Sequence, residues 1–255
     1  MDIIIEEISK PIAIEFIKNH HYSKVIPRIT KYFLGVFVDG SLEGVVILGL
    51  GVQPYNTIQS IFYQHKMETS DYIEISKMSF SKELNGNKSF GSMVLSHLIK
   101  WIKENTNYHF LYTLADGIAG KCGYVYQASN FFYIGKFKSI VYIDNNTGER
   151  IHPKSSKKLL EENAKFENKD KISWLTHAFC KEKNIDLIKG YMFRYIYPLN
   201  NPAKKLLYEY DEYINNQYPK DSDLVYEKRV KSGKFERTIK PEFNRDVLNY
   251  NYQQN

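Results

Sequence analysis

Apolar residues recur along this chain with two periods, and the switches between them mark out its elements. Ile3 to Ile8 reads as a short strand, and Lys10-Pro11 then opens a segment in which Ile12, Phe16 and Ile17 return at helical spacing. Tyr32 to Val38 and Ser41 to Leu48 are β-branched and aromatic runs joined by Asp39-Gly40, the pattern of a tight β-hairpin. Tyr72 to Phe80 alternates as a strand, and Phe90 to Lys103 places Met93, Val94, Leu98 and Trp101 at helical intervals. A strand over His109 to Leu114 stops at Ala115-Asp116-Gly117. A short helix within Gly123 to Phe132, a strand over Ser139 to Ile143 and a turn at Asn145 to Gly148 follow.

From Pro153 to Lys189 the chain is rich in Lys and Glu, with Leu159, Leu160 and Ala164 at helical spacing. Gly190 to Tyr197 then reads as a late strand closed by Pro198, and Ala203 to Ile214 as a helix. The order describes one α/β domain over residues 1–217, with a helical insertion at about 153–189. The polar residues 218–255 are expected to be a peripheral or partly disordered tail, with Val225, Tyr226, Phe235 and Phe243 available to dock on the body.

Composition narrows the class. With 43% hydrophobic and 25% charged residues over 255 positions, collagen-like and wholly disordered chains are excluded. Two cysteines, Cys122 and Cys180, match no disulfide framework or metal spacing and fit a reducing cytosol. The first residues lack the basic and apolar regions of a signal peptide, and the longest apolar run, Gly44 to Gly51, is far short of a membrane span, so a cytoplasmic protein is expected. The chain is basic and rich in tyrosine, with 35 Lys and Arg against 29 Asp and Glu, a net +6, and 21 Tyr. Cations release counterions from phosphate backbones and tyrosines stack on bases, which favours nucleic acid; an A·T-rich genome enriches the same residue types by codon usage.

Three segments carry residue types suited to chemistry. Asn19-His20-His21-Tyr22-Ser23 follows the first helix and combines an imidazole that titrates near neutrality with a phenol, although such a pair also suits a solvated helix end. Leu114 to Gly135 holds Asp116 at a strand end, where open α/β sheets place ligands, then Gly117, Gly120 and Gly123 around Lys121 as an anion cradle. Tyr124, Tyr126, Gln127, Asn130 and Tyr133 crowd the next turns; the bland alternative is that Tyr126 packs the sheet and Asp116 caps a turn. Glu83 to Ser92 lies between a strand and a helix, where Asn87, Ser89 and Gly91 can hold a cofactor anion or merely cap the helix. Lys24, Arg28, Lys121, Lys136 and Lys138 flank these segments as candidate DNA contacts, with the lysines of residues 154–189 as a second basic source. His65, His97, His109, His177 and Cys122 carry no assigned function.

The element order resembles that of the N-acetyltransferase (GNAT) superfamily, a mixed central sheet flanked by helices. His21-Tyr22, Leu34-Gly-Val-Phe with Gly44-Val-Val, Glu74-Ile-Ser-Lys-Met, Asp116 with Gly123-Tyr-Val-Tyr-Gln-Ala-Ser-Asn-Phe, Ile151-His-Pro-Lys and Arg194-Tyr195 together resemble the Mom family of bacteriophage DNA-modification proteins, over roughly residues 15–200. The resemblance implies an acetyltransferase-like enzyme that adds a carbamoylmethyl-type group to the exocyclic N6 of adenine in double-stranded phage DNA and so protects it from host restriction. It also implies His21, Tyr22, Asp116 and Tyr126 as active-site residues.

Chemically, Asp116 can accept the N6 proton or orient the amine, and Tyr22 and Tyr126 can hold an extruded base or donate to a leaving group. His21, Tyr22 and Asp116 are alternatively ligands for iron or another divalent metal. The loop over Asn87, Ser89 and Gly91 departs from the usual coenzyme A signature, so an acyl-coenzyme A-like donor and an unknown small-molecule donor both stand. Two other readings remain: an acyl-coenzyme A-dependent N-acyltransferase acting on a small amine or protein, and a non-catalytic DNA-binding anti-restriction protein. The oligomeric state is open, a homodimer among the options.

Overall fold

A computed structural model describes residues 1–84, 86, 87, 89–152, 157–244, 246 and 247. In chain order the elements are β1 (Ile3–Glu7), α1 (Lys10–His20), β2 (Ile29–Val38), β3 (Ser41–Leu50), α2 (Pro54–Ile61), β4 (Tyr72–Phe80), α3 (Phe90–Asn105), β5 (Phe110–Asp116), α4 (Tyr124–Gln127), β6 (Phe132–Asp144), β7 (Glu149–Ile151), α5 (Lys157–Phe166), α6 (His177–Glu182), β8 (Ile185–Pro198), α7 (Asn201–Leu207), α8 (Asp211–Ile214), β9 (Glu227–Lys231) and β10 (Lys234–Arg237). Contacts divide the chain into two compact units, one formed by Met1–Ala115, Gly123–Gly135 and Phe193–Tyr218, the other by Asp116–Cys122, Lys136–Met192 and the chain from Pro219 onward.

In the first unit β1, β2, β3 and β4 are antiparallel neighbours, β5 adds to β4 in parallel, and β8 follows β5. Asp39 and Gly40 both take positive φ, 48° and 86°, the backbone that a two-residue hairpin turn requires. One helix-covered core joins Ile58, Ile61 and Phe62 to Phe110, Tyr112, Ile196, Leu207, Tyr210 and Tyr213. A second packs Ala13, Phe16 and Ile17 of α1 on Val45 and Ile47 of β3. Each such aromatic or aliphatic side chain stabilises the fold by about 1.5–3 kcal/mol.

In the second unit β6 lies between β8 and β7, while β9 pairs with β8 and β10 with β9. Its cores are Tyr142, Ile151, Leu159, Leu175, Phe179, Ile185 and Leu187, and separately Ile118, Val141, Ile143 and Ile188.

The mixed sheet with flanking helices is the α/β architecture expected from the element order. Several boundaries differ. The helical insertion ends at Glu182, because Asn184 at φ 55° breaks α6 and the apolar pattern of Ile185, Leu187 and Ile188 already belongs to β8. Within the polar stretch after Tyr218, β9 and β10 form a hairpin turned by Gly233 at φ 74°. Its strands are short and largely solvated, so no hydrophobic period reports them. The helix expected over Ala203 to Ile214 is two, α7 and α8, separated around the buried Tyr210. Pro153 and Lys154 lie outside the described residues.

Candidate active site

The paired register of β4 and β5 runs from Tyr72 opposite Phe110 to Ile75 opposite Thr113. Beyond it β4 continues to Phe80 with no further β5 partner among the described residues. A parallel pair that stops mid-strand leaves backbone and side chains at the carboxyl ends unshared, the place where open α/β sheets take ligands. A register shift between Ile47 and Leu48 of β3 leaves Ser76 of β4 as the extra, bulged residue, and its hydroxyl is buried with no hydrogen-bond partner among the described residues.

Three buried groups meet at the last paired residues. Glu74 is only 9% exposed. Burial raises its carboxyl to about 7, partly opposed by the hydrogen bond donated by the Gly51 backbone N–H. A side chain at position 51 would place its Cβ 3.0 Å from the Glu74 Oε2 atom, so glycine there leaves room for the carboxyl. Tyr112 stands opposite Glu74 in the register, and burial followed by the nearby Glu74 charge holds its phenol firmly protonated. Tyr126, from α4, is buried against the rings of Phe131 at 5.5 Å and Tyr195 at 5.4 Å. Thr113 Oγ1 donates to the Ile75 carbonyl at 3.3 Å and hydrogen-bonds the Tyr126 hydroxyl. Burial raises the Tyr126 phenol and the Glu74 charge adds to the rise, so the group is a hydrogen-bond donor at neutral pH.

The loop before α4 is shaped for this. Gly123 has φ 92°, and a Cβ there would lie 2.5 Å from the Tyr195 ring, so both the backbone conformation and the close approach exclude larger residues. Gln127 Nε2 then donates to the Tyr195 hydroxyl at 3.0 Å.

His21 and Tyr22 follow α1 with their rings stacked at 4.4 Å, and the Ser23 backbone N–H lies 2.9 Å from His21 Nδ1. Lys77 of β4 is 9% exposed and donates to the Ser23 carbonyl at 2.8 Å, tying this loop to the strand that carries Glu74. Lys24 is half-buried and Arg28 exposed.

In the second unit Asp116 is buried, with Oδ2 2.6 Å from Arg150 Nη1 of β7 and Oδ1 accepting from the Ala119 backbone N–H at 3.2 Å. The Phe243 ring lies 5.1 Å from the Arg150 guanidinium, and Asn244 N–H donates to the Gly148 carbonyl at 2.8 Å. Burial, and then Asp221 and Asp116, raise the Tyr226 phenol. With one oxygen on a guanidinium and the other on a backbone amide, Asp116 is a poor ligand for a second cation. No group of three or more His, Cys, Asp and Glu residues among the described ones is arranged to hold a metal. Lys121, Lys136 and Lys138 are exposed, Lys136 Nζ lying 4.5 Å from the Tyr191 ring centroid.

The expected cofactor loop leads into α3. Asn87 Oδ1 accepts from the Ser89 backbone N–H at 3.1 Å, and Ser89 is the N-cap of α3 without a side-chain capping bond. Gly91 is buried, and the group that approaches it is Val125, 2.7 Å from where a Cβ would stand, so its smallness serves packing of α3 on α4. Among residues that sequence reasoning gave no role, Glu74 and Arg150 stand out. Glu74 sits in an apolar alternating strand, a position that signals a buried acid; Arg150, in the short polar strand after a turn, gives no such signal.

A family model described as the Mom protein family matches residues 2–220. The chain is 29% identical over 139 residues to the methylcarbamoylase mom of Escherichia phage Mu. That alignment covers 54% of this chain and 56% of the relative, so the chain spans about half the length of the curated relative it matches. Among solved structures, the chain is similar to a GNAT-superfamily phosphinothricin acetyltransferase from Sinorhizobium meliloti in complex with AcCoA, 12% identical over 78% of this chain and 90% of that one, TM-score 0.42. It is also similar to an N-acetyltransferase from Staphylococcus aureus Mu50, 14% identical over 79% and 100%, TM-score 0.39.

Proposed function

We propose, from the premise that this chain belongs to the Mom protein family, that it is a phage-encoded transferase modifying the exocyclic N6 of adenine in double-stranded DNA with a carbamoylmethyl-type group, and so protecting that DNA from host restriction. The observation that carries the reading is the buried Glu74, Thr113 and Tyr126 cluster where β4 and β5 part.

The N6 lone pair of adenine is delocalised into the ring, so transfer requires an activated donor and removal of a proton. The N6–carbon bond forms as the bond from that carbon to the donor's leaving group breaks. A carboxyl that titrates at about 7 is half ionised at neutral pH, so Glu74 takes the N6 proton. The Tyr126 phenol stays protonated and donates to the leaving group or to the base. Asp116, whose carboxylate is met by Arg150, is not assigned the proton. His21 and Tyr22 hold the extruded base by stacking, and Lys24, Arg28, Lys121, Lys136 and Lys138 contact phosphates. The donor is a small molecule whose carrier the Asn87 and Ser89 loop contacts.

The test is mass spectrometry of nucleosides from plasmid DNA of cells expressing the protein. A mass-shifted deoxyadenosine supports the reading; unmodified nucleosides beside coenzyme A-dependent acylation of an amine, or beside bare protection of the DNA from cleavage, reject it.

A further inference from the structure

Trp174 is 65% exposed, and its side chain makes no ring contact or hydrogen bond among the described residues. An indole left in water forgoes the burial of a large apolar ring, which makes a solitary exposed Trp more informative than an exposed Leu. The backbone that presents it is firmly held. The neighbouring Leu175 is buried and its N–H donates to the Tyr142 hydroxyl at 3.1 Å. Thr176 N–H donates to Asn163 Oδ1 at 3.1 Å, and the single Thr176 hydroxyl proton is shared between Asn163 Oδ1 and the Glu167 carboxylate. Thr176 then caps α6 through the Phe179 N–H, and Arg229 bonds the carbonyls of Leu175 and Thr176 at 3.4 Å. The indole is thus held outward on a preorganised loop, which lowers the ordering entropy of a contact made there.

The same stretch of the second unit exposes Lys165, Lys169, Lys171 and Lys181, none of them in an ion pair among the described residues, against exposed Asp170 and Glu182. Phe166 is 48% exposed beside them, its ring edge-on to Phe179 at 5.5 Å. Unpaired exposed lysines close in sequence to a protruding aromatic match a nucleic acid, which offers phosphates to the cations and base faces to the ring. An acidic or neutral protein surface would satisfy the lysines but would not require a lone flat ring held clear of its own fold.

We propose that the loop over residues 167–176 is a DNA contact in which the Trp174 indole stacks on or between bases while Lys165, Lys169 and Lys171 meet phosphates. This inference rests on the DNA-modification reading and adds to it a contact that the extrusion of a base calls for. A duplex from which a base has been extruded exposes neighbouring base faces, and an inserted aromatic side chain covers them.

The chain has two tryptophans, so Trp101→Phe leaves Trp174 as the sole indole reporter. Trp101 packs edge-on to Tyr32 at 5.4 Å, a contact that phenylalanine retains in kind. Full-length W101F protein is titrated with end-labelled duplex DNA, recording label anisotropy and indole emission together. The expected result is quenching and a blue shift of Trp174 over the same concentration range as the anisotropy change. In the otherwise wild-type chain, Trp174→Ala weakens DNA binding about fivefold or more with an unchanged melting temperature, and Trp174→Phe retains most of the affinity.

Saturating anisotropy with unaltered indole emission, or wild-type affinity in W174A, overturns the inference and leaves the transferase reading standing. A protein that elutes as a dimer with Trp174 already blue-shifted before DNA is added also overturns it, assigning the indole to a second copy. Absence of any modified deoxyadenosine in the nucleoside assay, by contrast, removes the transferase reading whatever Trp174 does.

Discussion

The Asp116 carboxylate meets the Arg150 guanidinium at 2.6 Å, with both side chains largely withdrawn from water, at 8% and 19% exposure. A charge-assisted pair in such a setting fixes direction as well as charge, because the planar guanidinium allows few orientations of its partner. The glycine loop that follows Asp116 is tied to the same residue, since the Asp116 backbone carbonyl accepts from the Ala119 and Lys121 N–H groups.

Breaking that pair from the Arg side leaves a buried carboxylate without its guanidinium partner. Arg150→Met is expected to destabilise the protein by about 3 kcal/mol, read as a lower urea midpoint, and Arg150→Lys by less. Unchanged midpoints in both variants would show that Asp116 finds its compensation elsewhere. Asp116→Asn, which keeps the shape, is expected to retain the fold and lose modified deoxyadenosine.

Glu74 makes stability depend on pH with a definite sign. Its folded value, about 7, lies above the ordinary carboxyl value of 4.5, so the folded state binds the proton more tightly than the unfolded one. The contribution is fully present below pH 4.5 and is lost as pH rises to 7, by about 3 kcal/mol across that window. Glu74→Gln is expected to flatten this segment of the stability profile measured by chemical denaturation. It also abolishes turnover and leaves DNA affinity intact; a Gln variant with wild-type turnover would mean the N6 proton goes elsewhere.

Tyr126→Phe deletes only the hydroxyl that Thr113 engages. The expected loss is about 1 kcal/mol in stability and at least tenfold in the rate at which modified deoxyadenosine accumulates. If the two losses were reversed in size, the residue would be a packing group.

Gly123→Ala forces a Cβ onto a backbone at φ 92° and against the Tyr195 ring. Thermal unfolding is expected to report destabilisation of about 2 kcal/mol, together with loss of activity as α4 and Tyr126 shift. An alanine variant as stable and active as wild type would contradict the close approach.

Lys136 and Lys138 are exposed on β6. Changing both to Glu should weaken binding to all DNA sequences alike and reduce the slope of log affinity against log salt by about 2, one for each lost phosphate contact. A slope equal to that of the wild type would take both lysines out of the footprint.

Much of the framework was already legible in the order of residues. Alternation over Tyr72 to Phe80 and the Asp39-Gly40 turn fix strands locally, because the side chains that face each way are set by a two-residue period and the turn by two positive φ values. Helix α2 was missed although Pro54 stands in its first turn, because at 8 residues its apolar period is too short to register. Strands β9 and β10 gave no signal at all, since β9 is held by pairing to β8 and not by a buried face.

The candidate site divides in the same way. The sequence by itself determined that Asp116, the glycines around Lys121 and Tyr126 follow one another in a single segment after an apolar strand pattern. Only the tertiary structure decided what those groups are. Arg150, 34 positions after Asp116, turns a candidate base into one half of an ion pair, and the arrest of β4–β5 pairing at Ile75 and Thr113 brings Glu74 to Tyr126. Proton affinity is set by burial and by partners distant in sequence, and neither is written in the residues that share a segment.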